Sequence, residues 1–246
     1  MLRDAALVAG KDLRIELRSR IGLNQVGPFA IAVLLLFGLA LGPDRSVLAP
    51  ASAGLYWVAV LLSTLLAVQR SYAIESADAA RDGLRLSGLD PAGIFLGKAG
   101  AVVAQLLVLE AGLTVGVALL YGARLSGALV LIAACGAGSV GLAAVGTLYG
   151  VVASGLRTRE TLLPLLFLPV VAPVLLAATK AWDEALAGTP SHADGWLSVL
   201  VVFAVAYTAI GTVAYGPLPP RFFAQVRDKF LERDRREKST RIKRTE

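Results

Sequence analysis

The sequence predicts an all-α polytopic membrane protein with six transmembrane helices and both termini in the cytoplasm. Six strongly apolar stretches run over 24–41, 54–68, 94–120, 124–154, 161–179 and 196–215. A bilayer-spanning helix needs about 20 such residues, and a short one is completed by less apolar flanks. Hydrophobic residues make up 56 % of the 246, mean hydropathy is +0.69 and charged residues are 17 %. A water-soluble domain carries about 25 % charged residues. A soluble core accounts for one or two such runs, not for six separated by short polar segments. The runs are continuous rather than alternating, which argues against a transmembrane barrel.

Charge gives the orientation. With the N-terminus inside, 21 of the 24 Lys and Arg fall on inner segments, and only Arg45, Arg124 and Lys180 on outer ones. The net charge of +6 and the pI of 9.7 then follow from topology. Nucleic-acid binding has no aromatic platform or recognition motif behind it. The chain divides into an amphipathic interfacial segment (1–23), a six-helix transmembrane domain (24–215) and a basic cytoplasmic tail (216–246).

Before the first span, Lys11, Arg14 and Arg18 share one helical face and Leu13, Leu17 and Ile21 another. This fits a short helix on the inner membrane surface, serving either as flanking positive charge or as a docking surface. No short apolar core with a small-residue cleavage site precedes it, so the first span is expected to stay in place. That span follows Gly27-Pro28 and ends before Gly42-Pro43. In the second span Tyr56 and Trp57 are expected near the outer headgroups, where amphipathic rings favour the interface.

The segment 69–90 is the most polar internal connection. Glu75, Asp78, Arg81, Asp82 and Arg85 fall at helical spacings, and Gly88 and Pro91 bracket the end. It reads as a short cytoplasmic helix, either a lever touching a soluble motor or a capped connector. The third run would be about 40 Å long as a helix, so it tilts or protrudes. Glu110 lies within it. A carboxylate in hydrocarbon is costly and marks a functional position by default, unless it sits at the outer interface. The fourth run holds Gly136, Gly138, Gly141, Gly146 and Gly150, which suit close helix packing, and Cys135, read as a packed inert thiol.

Arg157, Arg159 and Glu160 form a compact inner turn before the fifth span, which contains Pro164, Pro169 and Pro173. Each proline removes a backbone hydrogen bond, so this helix is distorted. It either bends during a cycle or is permanently kinked. The outer segment 180–195 carries Trp182, Asp183, Glu184, His192 and Asp194, and a lone histidine is weak support for a ligand. The sequence has no phosphate loop, no G-x-S-x-G elbow and no H-E-x-x-H, and none of the six stretches contains histidine. Active transport would therefore draw its energy from a partner or an ion gradient.

Two long segments, GLYWVAVLLSTLLAVQRSYAIESADAARDGLRLSGLDP at 54–91 and GLRTRETLLPLLFLPVVAPVLLAATKAWD at 155–183, resemble the CcmB family. The likeness extends over about residues 1–215. The resemblance implies an ABC-2-like permease, not an enzyme, that works in cytochrome c maturation beside a separate CcmA-like ATP-binding subunit; the alternatives are an ABC-2-like exporter permease for a drug, lipid or glycan, or a non-transporting scaffold for haem-handling proteins. It implies CcmC-like and CcmD-like membrane partners, an indirect periplasmic CcmE-like haem chaperone, and two permease copies. It assigns no bound cofactor to this chain, gives ATP to the partner, and leaves haem as a candidate transported or handled ligand. Carried onto this sequence, it makes Glu75, Asp82 and Leu86, with Arg14 and Arg18, candidates for contact with the ATP-binding subunit. Glu110, Arg159, Glu160, Pro164, Pro169 and Pro173 become candidates for conformational coupling. The tail after 221 is longer than the family pattern leads one to expect.

Overall fold

A computed structural model describes residues 1–19, 22–42, 44–77, 88–154 and 159–215, with side chains outside 19–23, 70–77, 151–154 and 159–163. Helix α1 spans Leu2–Ser19, and a π-helical turn, Gly22–Val26, leads into α2, Gly27–Leu41. Then follow α3 (Arg45–Ala77), α4 (Pro91–Leu120), α5 (Ala128–Ser154), α6 (Arg159–Leu186), a 3₁₀ turn (Pro190–Ala193) and α7 (Asp194–Tyr215). Among the described residues, six helices are long and apolar enough to cross a membrane. All-helical construction satisfies the backbone within each segment, as hydrocarbon demands.

Helix starts are set by local chemistry. Asp44 accepts from the Ser46 backbone N–H at 2.8 Å, and the Ser46 contacts hold its carboxyl below the usual carboxylate range. Its carbonyl takes the N–H groups of Val47 and Leu48. This cap begins α3 nine residues before the second apolar run, and the helix continues through Pro50. Asp90 caps α4 by accepting from Ala92 N–H at 3.0 Å, with Pro91 in the first turn, where its missing donor costs nothing. The polar connection after Ala77, with the helix expected there, lies outside the described residues, as does the basic tail.

Helix α1 does not lie alone on the membrane surface. It packs on the first turns of α4 through Gly93 and Gly97. A Cβ on Gly97 would lie 2.6 Å from the Ala5 carbonyl, and one on Gly93 would lie 2.9 Å from the Met1 carbonyl. Two glycines four apart thus bring one backbone against another. Val8 is buried in this contact. Lys98, also buried, lies 3.6 Å from Asp12, and Asp4 accepts the Asp90 N–H at 3.3 Å. Pairing is what allows an ammonium group to be buried at all.

Three of the five glycines in the fourth run receive a neighbouring side chain, whereas Gly136 has nothing within 4 Å. Gly146 receives Val68 of α3, Gly141 receives Val174 of α6, and Gly138 receives the Trp57 ring. The central core is built from α3, α4, α5 and α6, with α2 and α7 at its flanks. Helix α6 runs through all three of its prolines, and the Tyr207 hydroxyl of α7 donates to the Val170 carbonyl at 2.7 Å. That bond fastens the distorted stretch to its neighbour.

Gly97→Ala is expected to weaken α1 docking by about 1–3 kcal/mol, because backbone rather than a flexible tip opposes the new methyl. Gly100→Ala, with nothing within 4 Å, serves as the neutral control. Amide hydrogen exchange of α1 should quicken in the first variant and stay unchanged in the second.

Candidate functional site

Four helices bring their polar and aromatic side chains to one buried place. Glu110 is 1 % exposed, although nineteen residues of α4 precede it and ten follow. At 1.5 Å per residue it lies about 30 Å from the start of that helix, well inside the apolar length. The carboxyl therefore faces the bundle interior. Its Oε1 accepts from Ser139 Oγ of α5 at 2.8 Å. Thr114 Oγ1 donates to the Glu110 carbonyl at 2.7 Å, and the Tyr56 hydroxyl of α3 donates to the same carbonyl at 3.3 Å. Tyr56 Oη also lies 3.3 Å from Cys135 Sγ, so this thiol is part of the cluster rather than a bystander.

Aromatic packing closes the site. Tyr56 stacks on Trp182 of α6 with centroids 3.8 Å apart, and both rings meet Trp57 edge-on, at 5.5 and 6.3 Å. Tyr56, Trp57 and Trp182 are at most 1 % exposed. Tyr56 and Trp57 are thus core residues, and the expectation that they anchor the outer headgroups is wrong. The reason is tertiary: α3 begins at Arg45, so both rings lie three turns deep, and the glycine at 138 opens a slot for the Trp57 ring.

The cluster is not fully satisfied. Glu110 Oε2, Trp57 Nε1 and Trp182 Nε1 are buried with no hydrogen-bond partner among the described residues. An unmade bond of this kind costs about 1–3 kcal/mol, more for a charged group. Polar groups left short in one packing favour any second packing, or any water, that completes them.

The other sequence candidates lie elsewhere. Arg14 and Arg18 are exposed on α1, at the inner end of the molecule and away from Glu110. Pro164 and Pro173 are half-buried and Pro169 is exposed along α6. Glu75 ends α3, and Arg159 and Glu160 begin α6, as backbone positions whose side chains are not described. Asp82 and Leu86 lie outside the described residues. His192 is exposed, 3.7 Å from Glu184, and no group of three metal-ligating side chains occurs among the described residues. Sequence reasoning missed Ser139, Tyr56, Trp57 and Trp182 as one site. A serine in a glycine-rich span was the one signal available, and it carries no partner information by itself.

Six apolar helices around a buried polar seam, with positive charge gathered on one side, define a polytopic helical membrane protein. The family model described as "CcmB protein" matches residues 4–217, and the chain belongs to that family. It is similar to heme exporter protein B of Pseudomonas aeruginosa, 30 % identical over 213 residues, which is 85 % of this chain and 94 % of that one. Heme exporter protein B of Paracoccus denitrificans is 30 % identical over 214 residues, 83 % of this chain and 94 % of the relative. The Escherichia coli K12 protein of the same name is 32 % identical over 192 residues, 77 % and 85 % of the two chains. The topology is that of a multi-pass protein of the bacterial inner membrane.

Ser139→Ala should cost about 1–3 kcal/mol, because it strands the Glu110 carboxyl. Combined with Glu110→Leu, the loss should be smaller than the sum of the two single losses. Chaotrope unfolding of the detergent-purified protein checks this coupling.

Proposed function

We propose that this chain is the membrane permease subunit of an ABC transporter required for cytochrome c maturation. The match to the CcmB family across nearly the whole six-helix region carries the reading. The name that these relatives carry, heme exporter protein B, supports haem as the handled ligand. The chain's own sequence has no phosphate loop, so ATP hydrolysis is assigned to a separate CcmA-like subunit. CcmC-like and CcmD-like membrane partners and a periplasmic CcmE-like chaperone complete the proposed system, with two permease copies. Hydrolysis in the partner would drive haem export or release of the loaded chaperone.

In this reading the 75–90 segment receives the ATP-binding subunit through Glu75, Asp82 and Leu86. The segment ends at Asp90, which caps α4 and meets α1. A push there would be delivered to α4 and reach Glu110 along a single rigid helix. Arg159 and Glu160 would feed the same input into α6, whose prolines let it follow.

Deletion of the gene should abolish covalently bound haem in membrane c-type cytochromes, and the intact chain should restore it. Unchanged covalent haem in a strain without a second copy would reject the assignment. Glu75→Arg with Leu86→Asp should release the ATP-binding subunit from purified membranes. Glu110→Leu should leave the complex assembled and lower cytochrome maturation at least several-fold.

A further inference from the structure

The outer face of α1 divides into two stripes. Residues 2, 6, 13 and 17 share one helical line, and 3, 7, 14 and 18 share the next. The first is apolar throughout: Leu2, Ala6, Leu13 and Leu17. The second is basic but for one residue: Arg3, Leu7, Arg14 and Arg18. Leu2 is 80 % exposed, Leu17 70 % and Leu7 58 %. The three arginines are exposed and make no ion pair with any described residue. The remaining face, with Asp4, Val8 and Asp12, is occupied by α4.

The depth of this helix follows from α4. Its 30 residues make a helix of about 45 Å, roughly 15 Å longer than the hydrocarbon core. The excess corresponds to about ten residues. Helix α1 packs on Gly93, Gly97 and Lys98, all within the first eight residues of α4. Asp4, Asp12, Asp90 and Lys98 gather there, which marks this end as the one outside the hydrocarbon. A helix held at that level meets acyl chains with an apolar stripe and phosphates with a basic one.

We propose that the exposed face of α1 is a binding surface for anionic phospholipids of the inner leaflet, gripped by Arg3, Arg14 and Arg18 with Leu2 and Leu17 seated at the acyl boundary and the half-buried Leu13 between them. The apolar stripe decides between occupants. A soluble partner reaching only the arginines would leave the leucines in water, whereas a bilayer covers both stripes at once. Because α1 is clamped to α4 through Gly93, Gly97 and the Asp12–Lys98 pair, the lipid also holds the inner end of the helix that carries Glu110.

The test uses the full chain in nanodiscs of mixed phosphatidylglycerol and phosphatidylcholine, with a fluorophore on Leu17→Cys in a Cys135→Ala background. Headgroup-spin-labelled phosphatidylglycerol should quench it more than spin-labelled phosphatidylcholine at equal mole fraction. The preference should fall about five-fold for each arginine changed to glutamine. Changing all three to lysine should preserve it, which separates charge from misfolding. Equal quenching by the two lipids with the native arginines present would overturn the proposal. So would shielding of the label only after the ATP-binding subunit is added, which would give this face to a protein partner.

Discussion

A carboxyl group placed in the apolar length of a membrane helix must find its partners inside the protein, and in this molecule that constraint falls on Glu110. Its Ser139 contact ties α4 to α5 at 2.8 Å. Tyr56 and Thr114 occupy the backbone carbonyl of the same residue, which adds α3 to the junction. Trp182 then stacks on Tyr56 and brings in α6. The glycines opposite these side chains follow from the same requirement, because bulky rings reach the centre only where a neighbouring helix lacks side chains. Four of the six spans are thus arranged around one polar residue.

A second junction stands at the inner end. Helix α1 and the first turns of α4 share a glycine-lined contact and the Asp12–Lys98 pair, while Asp90 both caps α4 and meets α1 through its backbone N–H. The two junctions lie on the same helix, separated by fewer than twenty residues with no internal proline. In the proposed coupling, displacement at one end would be carried to the other by this unbroken helix. Helix α6, with three prolines, is the contrasting element. Its three prolines each remove a backbone donor, and the Tyr207 hydroxyl of α7 holds it at the Val170 carbonyl.

The spans and their orientation were legible because hydropathy and Lys/Arg asymmetry act along the chain. Close packing by the fourth-run glycines was legible for the same reason, since small residues at helical spacing have few other uses. The site was legible only at Glu110, where an acid in an apolar run is costly enough to stand out. Its partners were not, because Tyr56, Trp57 and Trp182 are aromatic residues near span ends, where the interface is the ordinary explanation. Only the contact between α3 and α5 tells a buried ring from an anchoring one. Lys98 shows the same limit: counted along the chain it belongs to a basic inner segment, but in three dimensions it is buried beside an aspartate eighty-six residues earlier.

If the proposed coupling holds, the Glu110 seam between α4 and α5 changes its packing when the ATP-binding partner works. Val108 of α4 and Ile132 of α5 face outward at 64 % and 68 % exposure and accept spin labels without entering the seam. The most direct measurement is the label-to-label distance in the assembled complex, compared between the nucleotide-free and ATP-trapped states. The account predicts a distance distribution that shifts with nucleotide in the native chain and stays fixed in Glu110→Leu. A distribution identical in both nucleotide states of the native chain would contradict it.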